Sequence, residues 1–264
     1  MSIPALAIIG GTGLEEFIDV GYKYHKETMF GTVSYVLGSI SNVDILFIPR
    51  HGFKHEDPPH KVRYKAYIDL IAAHGVSKVI AFTAVGSLRY DLEPGSIVIP
   101  NQIIDYSLHN DTFYNLDSFH VDFTFPYCVD MGLKAFEALK SRGQDIRYGY
   151  TYVSTYGPRF ESAGEIDMLR RVGADIVGMT NIPESVLARE AGLHYMVISV
   201  VSNYAAGMQA RITADEVYDL MKRVKHRLRK ILDILVNLFV EYEPEDGCNY
   251  FKEIYRDFRE VGKI

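Results

Sequence analysis

Thr155-Tyr156-Gly157-Pro158-Arg159-Phe160-Glu161-Ser162 stands between two patterns of different period. Before it, Gly149 to Ser154 is a β-branched and aromatic run, which predicts a strand. After it, Ser162-Ala163-Gly164-Glu165 has the spacing of a capping box and predicts a helix from Ala163 to Val172. Gly157-Pro158 turns the chain between the two. Phe160 and Glu161 are thereby expected at a strand end, where open α/β sheets place their ligands. A flat ring beside a carboxylate suits a flat heterocycle with N–H groups. The same residues also suit a surface loop with a half-buried Phe and a solvated Glu, and the flanking sequence has to decide.

Upstream, strand-like runs end repeatedly in small or polar residues. Ala5 to Ile9 meets Gly10-Gly11-Thr12-Gly13, where backbone N–H groups and the Thr12 hydroxyl can approach an anion. Its spacing is not the G-x-G-x-x-G of dinucleotide binding, and a tight turn without a ligand fits equally. Thr32 to Leu37 and Val43 to Ile48 predict two strands joined at Ser41-Asn42. The second runs into Pro49-Arg50-His51-Gly52. Arg50 offers a planar fork of donors that matches phosphate, His51 can donate beside it, and Gly52 leaves room for close backbone approach. An ordinary turn with a solvated Arg is the alternative. Tyr64 to His74 has helical period, with Gly75 suited to its C-terminal cap. Val79 to Phe82 predicts a buried strand ending in Thr83-Ala84-Val85-Gly86-Ser87-Leu88. Ser96 to Ile99 is a further strand, and Ile103 to Tyr106 extends the sheet. His109 to Phe125 is a long aromatic loop of a length that signals function or a partner. Tyr127 to Lys140 predicts a helix.

Downstream, Ala174 to Val177 predicts a strand ending in Gly178-Met179-Thr180. Asn181-Ile182-Pro183-Glu184 then reads as a helix start, with Asn181 capping, Pro183 in the first turn and Glu184 at capping-box spacing. Helix N-termini favour anions, which makes Thr180 a candidate phosphate donor. His194 to Val201 is a continuous apolar strand ending in Ser202-Asn203. Asn203 is either a site group or an Asn that closes its own turn. Thr213-Ala214-Asp215-Glu216 opens a long helix whose stripe of Val217, Leu220, Met221, Val224 and Leu228 reads as core. Asn249 to Arg259 predicts a last short helix.

A chain of 264 residues with a net charge of -6 and no long basic run is not built for nucleic acid. No window approaches a membrane span. Met1 to Ala7 lacks the basic and apolar regions of a signal peptide. Cys128 and Cys248 form no metal or redox motif, a usage that fits a reducing cytoplasm. His51, His55 and His60 lack a supporting ligand pattern, so no metal is expected.

Six pieces taken in order resemble one family, the trimeric purine nucleoside phosphorylases and methylthioadenosine phosphorylases. They are Gly10-Gly11-Thr12-Gly13-Leu14, Pro49-Arg50-His51-Gly52, Thr83 to Leu88, Gly157-Pro158-Arg159-Phe160-Glu161, Val177-Gly178-Met179-Thr180 and Pro183-Glu184. The resemblance covers Ile8 to Val217. It implies a single α/β domain (1–264) with a mixed central β-sheet flanked by helices, extended by a helical segment at about 244–264. It implies reversible phosphorolysis of a purine nucleoside, with no cofactor and inorganic phosphate as co-substrate. By the same resemblance Thr12, Arg50, His51, Thr83, Ala84 and Thr180 hold phosphate, with His55 near it. Met179 packs under the ribose and Phe160 lies against the base.

Adenine-type members are similar in pattern but carry Ser after the Phe and Asp at the place of Asn203. Glu161 can accept from the N1–H of a 6-oxopurine, and the Asn203 amide can donate to O6 and meet N7. With His51 at the phosphate, these make Glu161, Asn203 and His51 the catalytic candidates, and inosine and guanosine the expected substrates. Relatives place a His for the 5′-hydroxyl where Ala214 stands here, which leaves 5′-methylthioinosine open as a substrate. The resemblance also implies a cytoplasmic homotrimer or dimer of trimers, with His120 of the long loop lent to a neighbouring subunit. Arg63 stands where relatives carry Asn. A nucleotide-binding oxidoreductase is argued against by the glycine spacing. A non-catalytic purine-binding protein is argued against by the intact Arg50, His51, Thr83, Glu161 and Asn203.

Overall fold

Apolar runs become the strands of one nine-stranded sheet, and amphipathic stretches become the helices that cover it. The computed structural model describes residues 3–264 apart from residues 12, 13, 15, 16, 19, 116, 117, 118 and 246. In chain order the strands are β1 (Leu6–Gly10), β2 (Val20–Thr28), β3 (Gly31–Ile40), β4 (Val43–Pro49), β5 (Lys78–Ser87), β6 (Ile97–Tyr106), β7 (Ile146–Thr155), β8 (Ile176–Gly178) and β9 (His194–Tyr204). The helices are α1 (Tyr64–Ala73), α2 (Val129–Ser141), α3 (Ala163–Arg171), α4 (Asn181–Glu190), α5 (Ala214–Phe239) and α6 (Lys252–Glu260).

Strand order is β2-β3-β4-β1-β5-β8-β7-β6-β9, and β9 also pairs with β5. The last five strands therefore close into a ring, while β2, β3, β4 and β1 extend from it as an open wing. The sheet is mixed: β1 runs parallel to β4 and β5, whereas β3 is antiparallel to β2 and β4. Ser41 and Asn42, both at positive φ (51° and 65°), form the two-residue turn between β3 and β4 that suits the twist of a hairpin. Strand β2 lies outside the sequence expectation. It is a polar edge strand carrying Lys23, His25 and Lys26, a composition that keeps an open edge from pairing with other chains. The two runs expected around Ile99 and Ile103 are one strand, β6, whose register shifts at Pro100, where the ladder lacks an N–H.

Alternation along the strands divides the core. Ile8, Ile80 and Ile198 face α2 and α5, while Ile9, Val79, Ala81 and Val197 face α1 and α4. The C-terminal segment docks on the second face. Tyr255 is buried there, and its hydroxyl donates to Asp69 Oδ1 at 2.9 Å. Arg259 Nε donates to the same oxygen at 2.6 Å. The described residues between β6 and α2 form neither helix nor strand. Glu190 pins this loop by accepting from Thr112 Oγ1 and Phe113 N at 2.5 and 2.7 Å, and burial raises its pKa. No helix among the described residues is long and apolar enough to cross a membrane.

Candidate active site

Five strand ends and the start of α5 converge on one cleft. β4 delivers Arg50 and His51, β5 delivers Thr83 and Ala84, and the turn after β7 delivers Phe160 and Glu161. β8 leads into Met179 and Thr180, β9 carries Asn203, and α5 begins with Ala214. His55 lines the same cleft.

At the inner end Arg50 lines the cleft but is only 3% exposed. Nε and Nη2 donate to the two oxygens of Glu184 at 2.7 and 2.8 Å, and Nη1 donates to the Phe82 carbonyl at 2.7 Å. Three of its five N–H groups are thus used, and two remain for an incoming anion. The fork that the sequence offered to phosphate thus makes a two-point pair with Glu184 inside the protein. A guanidinium taken this far from water needs a carboxylate, and the fold supplies one. Burial opposes the Arg50 charge, but Glu184 outweighs it and raises the pKa well above its ordinary value. The hydroxyls of Tyr67 and Tyr195 complete the acceptor sites of Glu184, and burial with that carboxylate holds both phenols neutral. Glu184 therefore does not close a capping box. Thr180 is the N-cap residue without a side-chain cap bond, and Ile182, at φ −110° and ψ 127°, breaks the first turn and leaves Glu184 in the interior.

His51 is also buried, and its Nδ1 lies 2.8 Å from the Asp57 carbonyl. A carbonyl only accepts, so Nδ1 carries the proton. Burial and the Arg50 charge lower the ring's pKa to about 4. The ring is then neutral at pH 7, and Nε2 presents a lone pair. In this state Nε2 is an acceptor, where the sequence had suggested a donor. Thr83 and Thr180 are buried beside it. Gly11 lines the cleft, where an added Cβ would meet the Phe82 carbonyl oxygen at 2.8 Å. Thr12 and Gly13 lie outside the described residues.

The outer end is held more locally. Thr155 Oγ1 donates to Glu161 Oε1 at 2.6 Å. The box predicted at Ser162 forms in both directions with Glu165, which also binds Arg159 at 2.7 and 2.8 Å. The Arg159 contact, helped by the Ser162 N–H, lowers the Glu165 pKa to about 2. Gly157 sits at φ 67°, and a Cβ there would stand 2.6 Å from Met179 Sδ, so the turn can lie on Met179 only as glycine. Phe160 is 38% exposed, ready to be covered by a flat partner.

Asn203 is placed by a bulge. Val85 pairs with Val201 but Gly86 pairs with Asn203, which makes Ser202 the extra residue. Ser202 Oγ donates to Asn203 Oδ1 at 2.7 Å, and Nδ2 donates to the Tyr204 carbonyl at 2.8 Å. That carbonyl fixes which atom is nitrogen and leaves the second N–H of the amide for a ligand. Around Ala214 the lining is apolar, with Ile212, Val217 and the Tyr218 ring, which meets His55 edge-on at 5.6 Å.

Sequence reasoning missed Glu184, Tyr67 and Tyr195 as the support of Arg50, because Glu184 satisfied a capping pattern. The missed signal was a Glu set between Pro183 and the apolar Val186-Leu187. Val217, read as core, also lines the cleft with Tyr218. The Thr213 hydroxyl accepts from Glu216 N at the start of α5, while the Glu216 carboxylate accepts from the Gln209 amide, so the capping-box spacing of Thr213 and Glu216 gives half a box. Arg63, unexplained in sequence, donates to the Thr32 carbonyl at 2.9 Å and ties the start of α1 to β3. His120 is exposed and is not among the residues lining this cleft.

Residues 5–237 match the family model described as the phosphorylase superfamily. A 6-oxopurine nucleoside phosphorylase of Pyrococcus furiosus is 37% identical over 93% of this chain and 97% of its own length. A probable S-methyl-5′-thioinosine phosphorylase of Methanothermobacter thermautotrophicus is 35% identical over 98% of this chain and 96% of its own. Among solved structures, a methylthioadenosine phosphorylase from an antarctic soil metagenomic library superposes with a TM-score of 0.87 at 29% identity, covering 94% of this chain and 91% of that one. A methylthioadenosine phosphorylase of Schistosoma mansoni in complex with adenine gives 0.87 at 27% identity, covering 96% and 97%.

Proposed function

The chain belongs to the phosphorylase superfamily, and we propose that it cleaves 6-oxopurine nucleosides with inorganic phosphate, releasing the free base and a pentose 1-phosphate. One observation carries the choice of base: the carboxylate of Glu161 and the donating amide of Asn203 line one cleft. Inosine and guanosine present N1–H to the first and O6 and N7 to the second. An adenine ring presents an N1 lone pair, which a carboxylate repels, and a mismatch of this kind discriminates by orders of magnitude.

In the reaction the C1′–N9 bond breaks and a C1′–O bond to phosphate forms. Positive charge grows on the sugar while the purine leaves with the electron pair. Phosphate at the inner end is held by the free N–H groups of Arg50, by Thr83, Ala84 and Thr180, and by Thr12 from the glycine turn. His51 Nε2 accepts the remaining P–OH and keeps the anion turned toward C1′. Asn203 stabilises the departing purine at N7 and Glu161 holds N1–H, both placed before the charge develops. Met179 packs under the ribose and Phe160 against the base. Positioning supplies much of the acceleration. The working unit we propose is a cytoplasmic homotrimer or dimer of trimers, in which the exposed His120 reaches a neighbouring copy's cleft.

A second reading concerns the sugar. Ala214, Ile212 and Val217 give its 5′ end an apolar wall, which favours a 5′-methylthio group over a hydroxyl. Purine release from inosine, guanosine, adenosine, 5′-methylthioinosine and 5′-methylthioadenosine, with and without phosphate, tests both readings. Phosphate-dependent release from the 6-oxo nucleosides alone is expected. Faster turnover of 5′-methylthioinosine than of inosine selects the second reading. Preference for the adenine nucleosides refutes the base assignment, and binding without turnover refutes catalysis.

A further inference from the structure

Cys128 and Cys248 are 120 positions apart and share no motif, yet the fold brings them together with His194. The ligating atoms of the three lie within 4.8 Å of one another, and the residues are 1%, 1% and 2% exposed. Each comes from a different part of the molecule. Cys128 is the N-cap of α2, His194 opens β9, and Cys248 begins a short 3-10 turn ahead of α6. The cluster lies apart from the cleft and takes no part in the chemistry described above.

We propose that Cys128, His194 and Cys248 bind one Zn²⁺ that fastens the C-terminal segment to the body of the protein. Four observations support this. Cys128 Sγ and His194 Nδ1 are 3.6 Å apart. Zinc bonds of about 2.3 Å to sulfur and 2.0–2.1 Å to nitrogen, at a tetrahedral angle, put those atoms about 3.6 Å apart. The donor set of two thiolates and one imidazole selects zinc among the common divalent cations, since magnesium and calcium take oxygen. Charge balances as well: two thiols lose their protons to solvent, and two thiolates with Zn²⁺ are neutral overall, which suits a fully buried site. Finally, Cys128 Sγ accepts the Met131 N–H at 3.4 Å at the start of a helix, which fixes where that sulfur points. A water completes the fourth position.

The site would act on the fold. It joins the segment carrying Cys248 to the first residue of β9, whose far end bears Asn203. Full-length protein, purified under reducing conditions, is exposed to micromolar zinc, freed of unbound metal and assayed for zinc and for thermal unfolding. We expect about one zinc per chain, release of about two protons per zinc bound, and a melting temperature raised by roughly 10 °C over the chelator-treated protein. Cys128→Ser tests the ligand without removing the helix cap, because Ser caps at least as well. That variant should fold and lose both the zinc and the thermal gain, as should Cys248→Ser. Folded, reduced protein that takes up no zinc overturns the proposal, and so does zinc binding by either variant equal to that of the parent protein. An intact mass about 2 Da below that of the reduced chain, with no thiol titratable in denaturant, overturns it in favour of a disulfide.

Discussion

At the inner end of the cleft, Arg50 meets Glu184 across 134 residues of sequence, and both are almost wholly buried. At the outer end, Glu161 is held by a threonine six residues away, beside a Phe that is 38% exposed. The inner group exists only when the whole sheet is assembled. The outer group needs one strand end, one turn and one capped helix. The difference separates two kinds of change. On the function proposed above, substitutions at the outer end should alter which base is accepted while the fold survives, whereas those at the inner end should disturb phosphate handling and stability together.

The comparison breaks most sharply at Glu184. Glu184→Gln keeps the shape but leaves the Arg50 charge buried and uncompensated, so unfolding free energy should fall by about 3–5 kcal/mol in denaturant titration. A loss under about 1 kcal/mol would mean that the pair does not organise the inner end.

Next in size is a pH effect centred on His51. Its folded pKa of about 4 lies below the ordinary 6.5, so the fold favours the neutral ring. As pH falls through 6.5 the unfolded chain takes up a proton that folded His51 refuses, and stability drops until the pH reaches about 4. The total is about 3 kcal/mol across that window, and His51→Gln should remove this part of the slope. An unchanged slope in the variant would assign the acid sensitivity to other groups.

The outer end is expected to show the opposite pattern. Glu161→Gln should lower kcat/KM for inosine about 100-fold while leaving unfolding free energy within about 0.5 kcal/mol. If stability falls as much as activity, the local character of this end is disproved. The smallest effect belongs to the helix cap behind it. Ser162→Ala should cost about 1 kcal/mol, visible as a small shift in the denaturation midpoint.

The same division governed what could be read from sequence. The outer end was legible because its determinants are neighbours: the strand period, Gly157-Pro158, and a capping box that the structure forms in both directions. Arg50, Thr83, Thr180 and Asn203 were legible as polar groups at strand ends. The partners of Arg50 were not, because a capping pattern and a buried counter-charge share one spelling at Glu184, and only the fold decides between them. Strand β2 escaped for another reason: an edge strand loaded with Lys and His lacks the apolar run by which buried strands announce themselves. Cys128, His194 and Cys248 carry no local pattern, and their meeting is a property of three dimensions alone.

The extra residue in β9 has a bearing on how the base site can change. Side chains along a strand alternate between two sides, so each position has a phase. Ser202 advances that phase by one step, and Asn203 faces Gly86 because of it. Point substitutions at 203 therefore explore different recognising groups at one address, and a lineage can retune its base that way. Removing Ser202 would leave residue 203 opposite Gly86 in a regular ladder, but it would take away the local twist of the bulge and the hydroxyl that donates to Asn203 Oδ1. A substitution at 203 changes the group that is presented, whereas loss of the bulge loosens the hold on the group already there.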